Sequence, residues 1–294
     1  MDTSYQILTD SSCDLPYALA KELGVQSVPL CVTMQDREIE NLLEGDPNSS
    51  LDMKAFYDTL RTGVMTKTAA ANPEKWAMAM EPILASGKDL LVLAFSSGLS
   101  ATCSSAVLAA RELEEKYPQR KIRVIDTLCA SMGQGLLVYH AVRHQQAGET
   151  LDQVGDWVHE HRLQLCHWFT VDDLMFLKRG GRVSAATAVA GTLLKIKPVM
   201  HVDDEGHLIK VSTARGRKAS IDAIAAKVAQ TAIDPENQVF FISHGNCPED
   251  ARYLERILRE TYHPKDVVIS HVGPVIGSHS GPGTLALFFL GTER

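Results

Sequence analysis

The sequence predicts an α/β chain in two domains: an N-terminal open, mainly parallel sheet with helices on both faces, then a smaller mixed α/β domain. Three observations point there. Short apolar runs alternate with stretches of helical length and periodicity through the first half, which is the grammar of βαβ units. One run, Leu90 to Phe95, is apolar without interruption, as in a strand covered on both faces. The 294 residues, 45% of them hydrophobic, exceed what one ordinary domain needs and supply apolar material for sizeable cores.

Tyr5 to Thr9 reads as the first strand, Pro16 to Leu23 as a helix, and Val25 to Val32 as extended chain. Met53 to Arg61 is helical after the cap-like Ser49 and Ser50. Pro73 fits the first turn of a helix running to about Leu84, where a missing N–H costs nothing. After the Leu90 to Phe95 strand come a small-residue helix from about Leu99 to Lys116, a strand at Ile122 to Ile125, and helices at about Met132 to Gln146 and Leu151 to Glu160. The rhythm then changes. Short strands at His167 to Val171, Val199 to Val202 and His207 to Ser212 follow, the last two joined by the turn chemistry of Asp203-Asp204-Glu205-Gly206. Helices at about Lys218 to Thr231 and Pro248 to Thr261 alternate with strands Val239 to Ser243 and Val267 to Val272, and Leu285 to Phe289 closes as a strand. The change of rhythm sets the expected domains at 1–160 and 161–294.

Charge and composition exclude several functions. With 29 Lys and Arg against 36 Asp and Glu, the net charge is −7, so the chain as a whole repels nucleic acid and anionic membranes. Tyr5 to Leu8 is too short for a signal sequence, and no run approaches the roughly eighteen apolar residues of a membrane span. A cytoplasmic protein with no stable membrane insertion is expected. Cys13, Cys31, Cys103, Cys129, Cys166 and Cys247 are scattered without a C-x-x-C pair, so they read as reduced, small hydrophobes.

Three polar, turn-rich clusters sit where strands end, which is where open α/β sheets bind ligands. Thr9-Asp10-Ser11-Ser12-Cys13-Asp14-Leu15-Pro16 is explained equally well by helix capping or by binding. Ser96-Ser97-Gly98-Leu99-Ser100-Ala101-Thr102 gathers hydroxyls and free N–H groups at a helix N-terminus, a natural site for a carboxylate. Gly273 to Gly283 reads as three Gly/Pro-rich turns that hold His279 in a fixed loop.

Charge is uneven as well. Between Lys178 and Lys218 there are nine basic residues against three acids, a basic island on an acidic chain. It is either a solvated face or a docking surface for a phosphate-bearing or acidic partner.

Most catalytic templates are missing: there is no G-x-S-x-G, no Walker A lysine and no G-x-G-x-x-G opening a helix. His140 with His144, and His159 with His161, lack the rest of a metal-binding pattern and read as structural or surface residues. His244-Gly245-Asn246-Cys247 offers a ligand at each end and no second pair, so no bound metal is expected.

Thr9-Asp10-Ser11, Ser96 to Thr102, Val171-Asp172-Asp173-Leu174 leading to Leu177-Lys178-Arg179-Gly180-Gly181-Arg182, Gly191 to Pro198, and Gly273 to Gly283 occur in the same order in the DegV family of bacterial fatty-acid-binding proteins. The chain resembles that family over nearly its whole length. The resemblance implies a two-domain α/β protein that buries a long-chain fatty acid between its domains, needs no cofactor, and offers the acid to a separate fatty acid kinase subunit for acyl-phosphate formation. It also implies that Thr68, Ser96, Ser97 and His279 hold the carboxylate and that Arg182 and Arg215 dock the kinase. The family's Thr-Ser-Gln-Pro-Ser motif is here Thr68-Ala69-Ala70-Ala71-Asn72, which keeps the threonine hydroxyl and removes its polar neighbours.

A carrier fits the physics, because each buried methylene contributes roughly 0.8 kcal/mol and a few polar groups suffice to fix a head group. The competing reading is a small-molecule hydrolase or transferase with Ser97 as nucleophile and His279 as acid or base.

Overall fold

The computed structural model describes residues 4–189 and 195–294. The elements run β1 (Tyr5–Asp10), α1 (Tyr17–Glu22), β2 (Gln26–Val28), β3 (Leu30–Met34), β4 (Arg37–Asn41), α2 (Met53–Arg61), β5 (Thr66–Ala69), α3 (Pro73–Ala85), β6 (Asp89–Ala94), α4 (Thr102–Lys116), β7 (Ile122–Asp126), α5 (Met132–Gln146) and α6 (Leu151–His161). They continue with β8 (Leu165–Thr170), α7 (Leu174–Arg179), α8 (Ala185–Val189), β9 (Ile196–Val202), β10 (Leu208–Arg215), α9 (Arg217–Ala225), α10 (Val228–Thr231), β11 (Val239–His244), α11 (Pro248–Tyr262), β12 (Asp266–His271), α12 (Pro274–Ser280) and β13 (Leu285–Leu290).

The first sheet has the order β2-β1-β6-β7 and is parallel throughout, with Ile7 opposite Leu91 and Leu91 opposite Arg123. Its inner strand β6 is apolar from Leu90 to Ala94 because both faces are covered. Leu91 and Leu93 pack with Leu136, Val154 and Val158 of α5 and α6, while Leu90 and Val92 pack with Met80, Ile83 and Ala106 of α3 and α4. The second sheet, in the order β10-β9-β8-β13-β11-β12, is mixed: only β11 and β12 run parallel. Ile221, Ile224, Leu254 and Leu258 cover one of its faces. The β9–β10 hairpin turns where the sequence predicts, with Asp203 Oδ1 accepting from the N–H groups of Glu205 and His207 at 3.1 and 2.8 Å.

Three local expectations are corrected. The extended stretch from Val25 to Val32 is two strands, not one. Pro29, which has no N–H to continue a ladder, separates β2 from β3, and β3 then forms an antiparallel sheet of its own with β4 and β5. Helix α2 is capped by Asp52, whose Oδ1 accepts from Ala55 N at 3.0 Å, rather than by Ser49 or Ser50. The Gly273 to Gly283 segment is not a run of turns. Pro274 occupies the first position of α12, and Gly281 ends it at φ +82°. His279 therefore projects from the last turn of a helix.

The Thr9 to Pro16 cluster ties strand ends together. Asp10, fully buried, accepts from Phe95 N at 2.8 Å, Ser12 N at 3.1 Å and Gln134 Nε2 at 3.1 Å, and Ser12 Oγ also bonds it. Ser11 Oγ accepts from Leu30 N at 3.0 Å, which ties the start of β3 to the end of β1. Replacing Asp10 with alanine strands several buried donors at once, so Asp10→Ala should lose more than about 2 kcal/mol of unfolding free energy in a urea titration. A loss below about 0.5 kcal/mol would contradict this role.

Candidate functional site

A cavity of about 290 Å³ lies over the face of the second sheet opposite α9 and α11. Phe169 of β8, Phe288 of β13 and Leu208 of β10 line one side, and Val275 and Ile276 of α12, with Leu30 of β3, line the other. The apolar walls have a simple cause. Strand residues alternate between faces, so Phe169, Ala286 and Ser243, which sit side by side in neighbouring strands, turn together into the space that α12 closes.

Thr68 and His279 meet in this wall. Thr68 is placed by β5 opposite Val32 of β3, His279 by α12, and Thr68 Oγ1 lies 2.8 Å from His279 Nε2. The other ring nitrogen, Nδ1, is buried without a partner and faces Gly180, where a Cβ would come within 2.2 Å of it. Gly180 thus has to be glycine for the ring to sit as it does. Burial first, and the nearby Arg182 guanidinium second, push the His279 pKa down to about 4, so the imidazole is neutral at pH 7.

Arg182 is, among the described residues, the charged side chain that lines the cavity. Its Nε and Nη2 donate to Leu99 O at 3.2 and 2.8 Å, and its Nη1 bonds Gly180 O. It joins the α7 end to the loop after β6. Arg215 lies elsewhere, exposed on the edge strand β10.

The two serines expected at the carboxylate do not reach the cavity. Ser96 is buried behind it, donating to Gly206 O at 3.0 Å and accepting from Gly98 N at 3.2 Å, so it clasps the β9–β10 turn. Ser97 is exposed, with its N–H on Asp126 Oδ1 at 3.2 Å. From the same segment it is Leu99, Ser100 and Ala101 that line the cavity. The Ser97 and His279 pair that a hydrolase would need is not assembled, since Ser97 is exposed and outside the cavity wall while His279 Nε2 pairs with Thr68.

Sequence reasoning missed Ser131, Ser243 and Ser280, all buried and all lining the cavity. Ser131 and Ser243 are brought together across 112 residues, and no local signal marks them. His167 also lines the cavity and accepts from Ala130 N at 3.2 Å, while the rings of His144 and His161 each lie 4.4 Å from Trp157, centroid to centroid. Among the described residues no group of three or more His, Cys, Asp or Glu is placed to hold a metal ion, and no helix is long and apolar enough to cross a membrane. The six cysteines are free thiols.

The profile of the family described as "Uncharacterised protein, DegV family" matches residues 4–292. The chain belongs to the DegV family. It is 43% identical over 291 residues to a DegV domain-containing protein of Clostridium perfringens, covering 99% of this chain and 98% of that one. Among solved structures it is similar to a DegV lipid-binding protein from Thermotoga maritima, at 30% identity and a TM-score of 0.84 over 99% of both chains. It is also similar to a DegV family protein from Thermus thermophilus described by its fatty acid binding, at 30% identity and a TM-score of 0.86 over 97% of this chain and 98% of that one. Of the DegV motifs quoted above, Gly191 to Leu194 lie outside the described residues.

The depressed His279 value is directly measurable. In an NMR titration the His279 ring should stay neutral well below the ordinary range and protonate near pH 4, against about 6.5 for an exposed histidine. The folded value lies below the unfolded one, so this group withdraws stability as the pH falls from about 6.5 towards 4. A midpoint at about 6 or higher would mean that the ring is not buried as described.

Proposed function

We propose that this chain is a fatty-acid carrier. It buries a long-chain acyl group in the cavity between its two halves, 1–160 and 161–294, and presents the carboxylate to a partner kinase for acyl-phosphate formation. The observation that carries the reading is the pairing of Thr68 with His279 at 2.8 Å in the wall of a mainly apolar cavity whose charged lining residue, among the described residues, is Arg182. The Thermus thermophilus and Thermotoga maritima relatives, described as binding fatty acid and lipid, support it.

The chemistry divides between the chain's groups. An acyl tail gains roughly 0.8 kcal/mol for each methylene taken out of water. The head group exchanges hydrogen bonds with the Thr68 hydroxyl and with His279 at Nε2, because Nδ1 is closed off by Gly180. With His279 neutral, the charge that answers a carboxylate is the Arg182 guanidinium, half-buried and oriented by Leu99 O. Ser96 supports the site from behind by holding the β9–β10 turn. No reacting nucleophile is needed from this chain, and the phosphoryl chemistry belongs to the kinase. Arg215, with Lys210 on the same exposed strand, is the surface proposed to meet it.

In a fatty-acid titration of delipidated protein, His279→Ala and Arg182→Ala should each weaken binding about tenfold or more, because charge-assisted hydrogen bonds contribute roughly 1.5–3 kcal/mol. Arg215→Ala should leave lipid affinity unchanged and lower acyl-phosphate formation when the kinase is added. Unchanged affinity in His279→Ala would remove the Thr68–His279 pair from the head-group site, and full kinase turnover with Arg215→Ala would make the basic strand a solvated face.

A further inference from the structure

The cavity wall carries more hydroxyl chemistry than a carboxylate at Thr68 and His279 can use. Ser243 of β11 is fully buried and lines the cavity, and its Oγ lies 2.9 Å from Ser131 Oγ. Ser131 Oγ in turn donates to Asp14 Oδ2 at 2.6 Å, so carboxyl, hydroxyl and hydroxyl form one chain. Ser131 is held there at φ +52°, a conformation that costs a non-glycine residue free energy and that recurs at functional sites. With its proton on Asp14, Ser131 accepts from Ser243, and Ser243 keeps lone pairs with no partner inside the chain.

Ser280 adds an independent sign. Its side chain is 5% exposed, lines the same cavity, and has no hydrogen-bond partner. The neighbouring Ser278 donates back to Pro274 O at 2.8 Å, as helical serines commonly do, and Ser280 does not. A buried hydroxyl left unpaired is costly, and methylene groups laid against Ser243 and Ser280 leave that cost standing. An alcohol group both donates and accepts, so it can give its proton to Ser243 and take one from Ser280.

We propose that the cavity selects acyl chains that carry a hydroxyl group along their length, with Ser243 and Ser280 hydrogen-bonding that hydroxyl. The proposal rests on the fatty-acid reading of the cavity and names the substrate class within it.

The test is a titration of the delipidated full chain with stearic acid and with a series of hydroxystearic acids bearing the hydroxyl at successive chain positions. At least one isomer should bind about fivefold or more tighter than stearic acid, the equivalent of one good buried hydrogen bond. Ser280→Ala and Ser243→Ala should each abolish that preference, so that the favoured hydroxystearic acid and stearic acid bind the variant alike. Ser280→Ala leaves the Asp14–Ser131–Ser243 chain untouched, so it remains decisive if Ser243→Ala fails to fold. Tight binding of stearic acid with no isomer preferred, or a preference that survives Ser280→Ala, would overturn the hydroxyl site and leave the carrier reading intact. Failure of every acid to bind would overturn both.

Discussion

A histidine buried in an apolar wall must be neutral, and one of its nitrogens must find a partner. Much of this molecule is arranged around that constraint. Thr68 supplies the partner from 211 residues away, so β5 has to be held against β3 while α12 is held against both. Pro274 and Gly281 start and stop α12 at the points that place His279 in its last turn. Gly180 closes the second nitrogen from the far side, and the Arg182 guanidinium two residues on depresses the pKa further while remaining the cavity's positive charge.

This division of labour suits binding better than catalysis. A general base works best with a pKa near the working pH, and a histidine held at about 4 is a weak acceptor of protons at pH 7. A neutral ring beside a hydroxyl and a fixed guanidinium is instead what the proposed carrier asks of a site that hydrogen-bonds the head group of a fatty acid. The exposed Ser97, which does not line the cavity, is in no position to serve as its nucleophile.

The layered fold was legible because its causes are local. The unbroken apolar run at β6 announces two covered faces, and the Asp203 to Gly206 turn announces its hairpin. What escaped reading depends on distant partners. Strand β4, Arg-Glu-Ile-Glu-Asn, carries charges because it is an edge, and nothing in its composition shows that β3 lies beside it. The serine-rich loop after β6 reaches the cavity through Leu99, Ser100 and Ala101. Which of its serines turns inward is decided by contacts no pattern encodes: Ser96 is captured by Gly206 of the β9–β10 turn, leaving Leu99 to Ala101 against the cavity. Arg182, read from the charge pattern as part of a basic island, is drawn inward by Leu99 O, so basic residues of one stretch of sequence serve two different environments.

The account stands on where a carboxylate sits. A crystal structure of the delipidated protein with a long-chain fatty acid added tests it most directly. It should show the carboxylate oxygens within about 3 Å of Thr68 Oγ1 and His279 Nε2, with the acyl chain running along Phe169, Phe288 and Val275. A fatty acid bound with its head group away from Thr68 and His279, or a cavity that stays empty under saturating ligand, would contradict it.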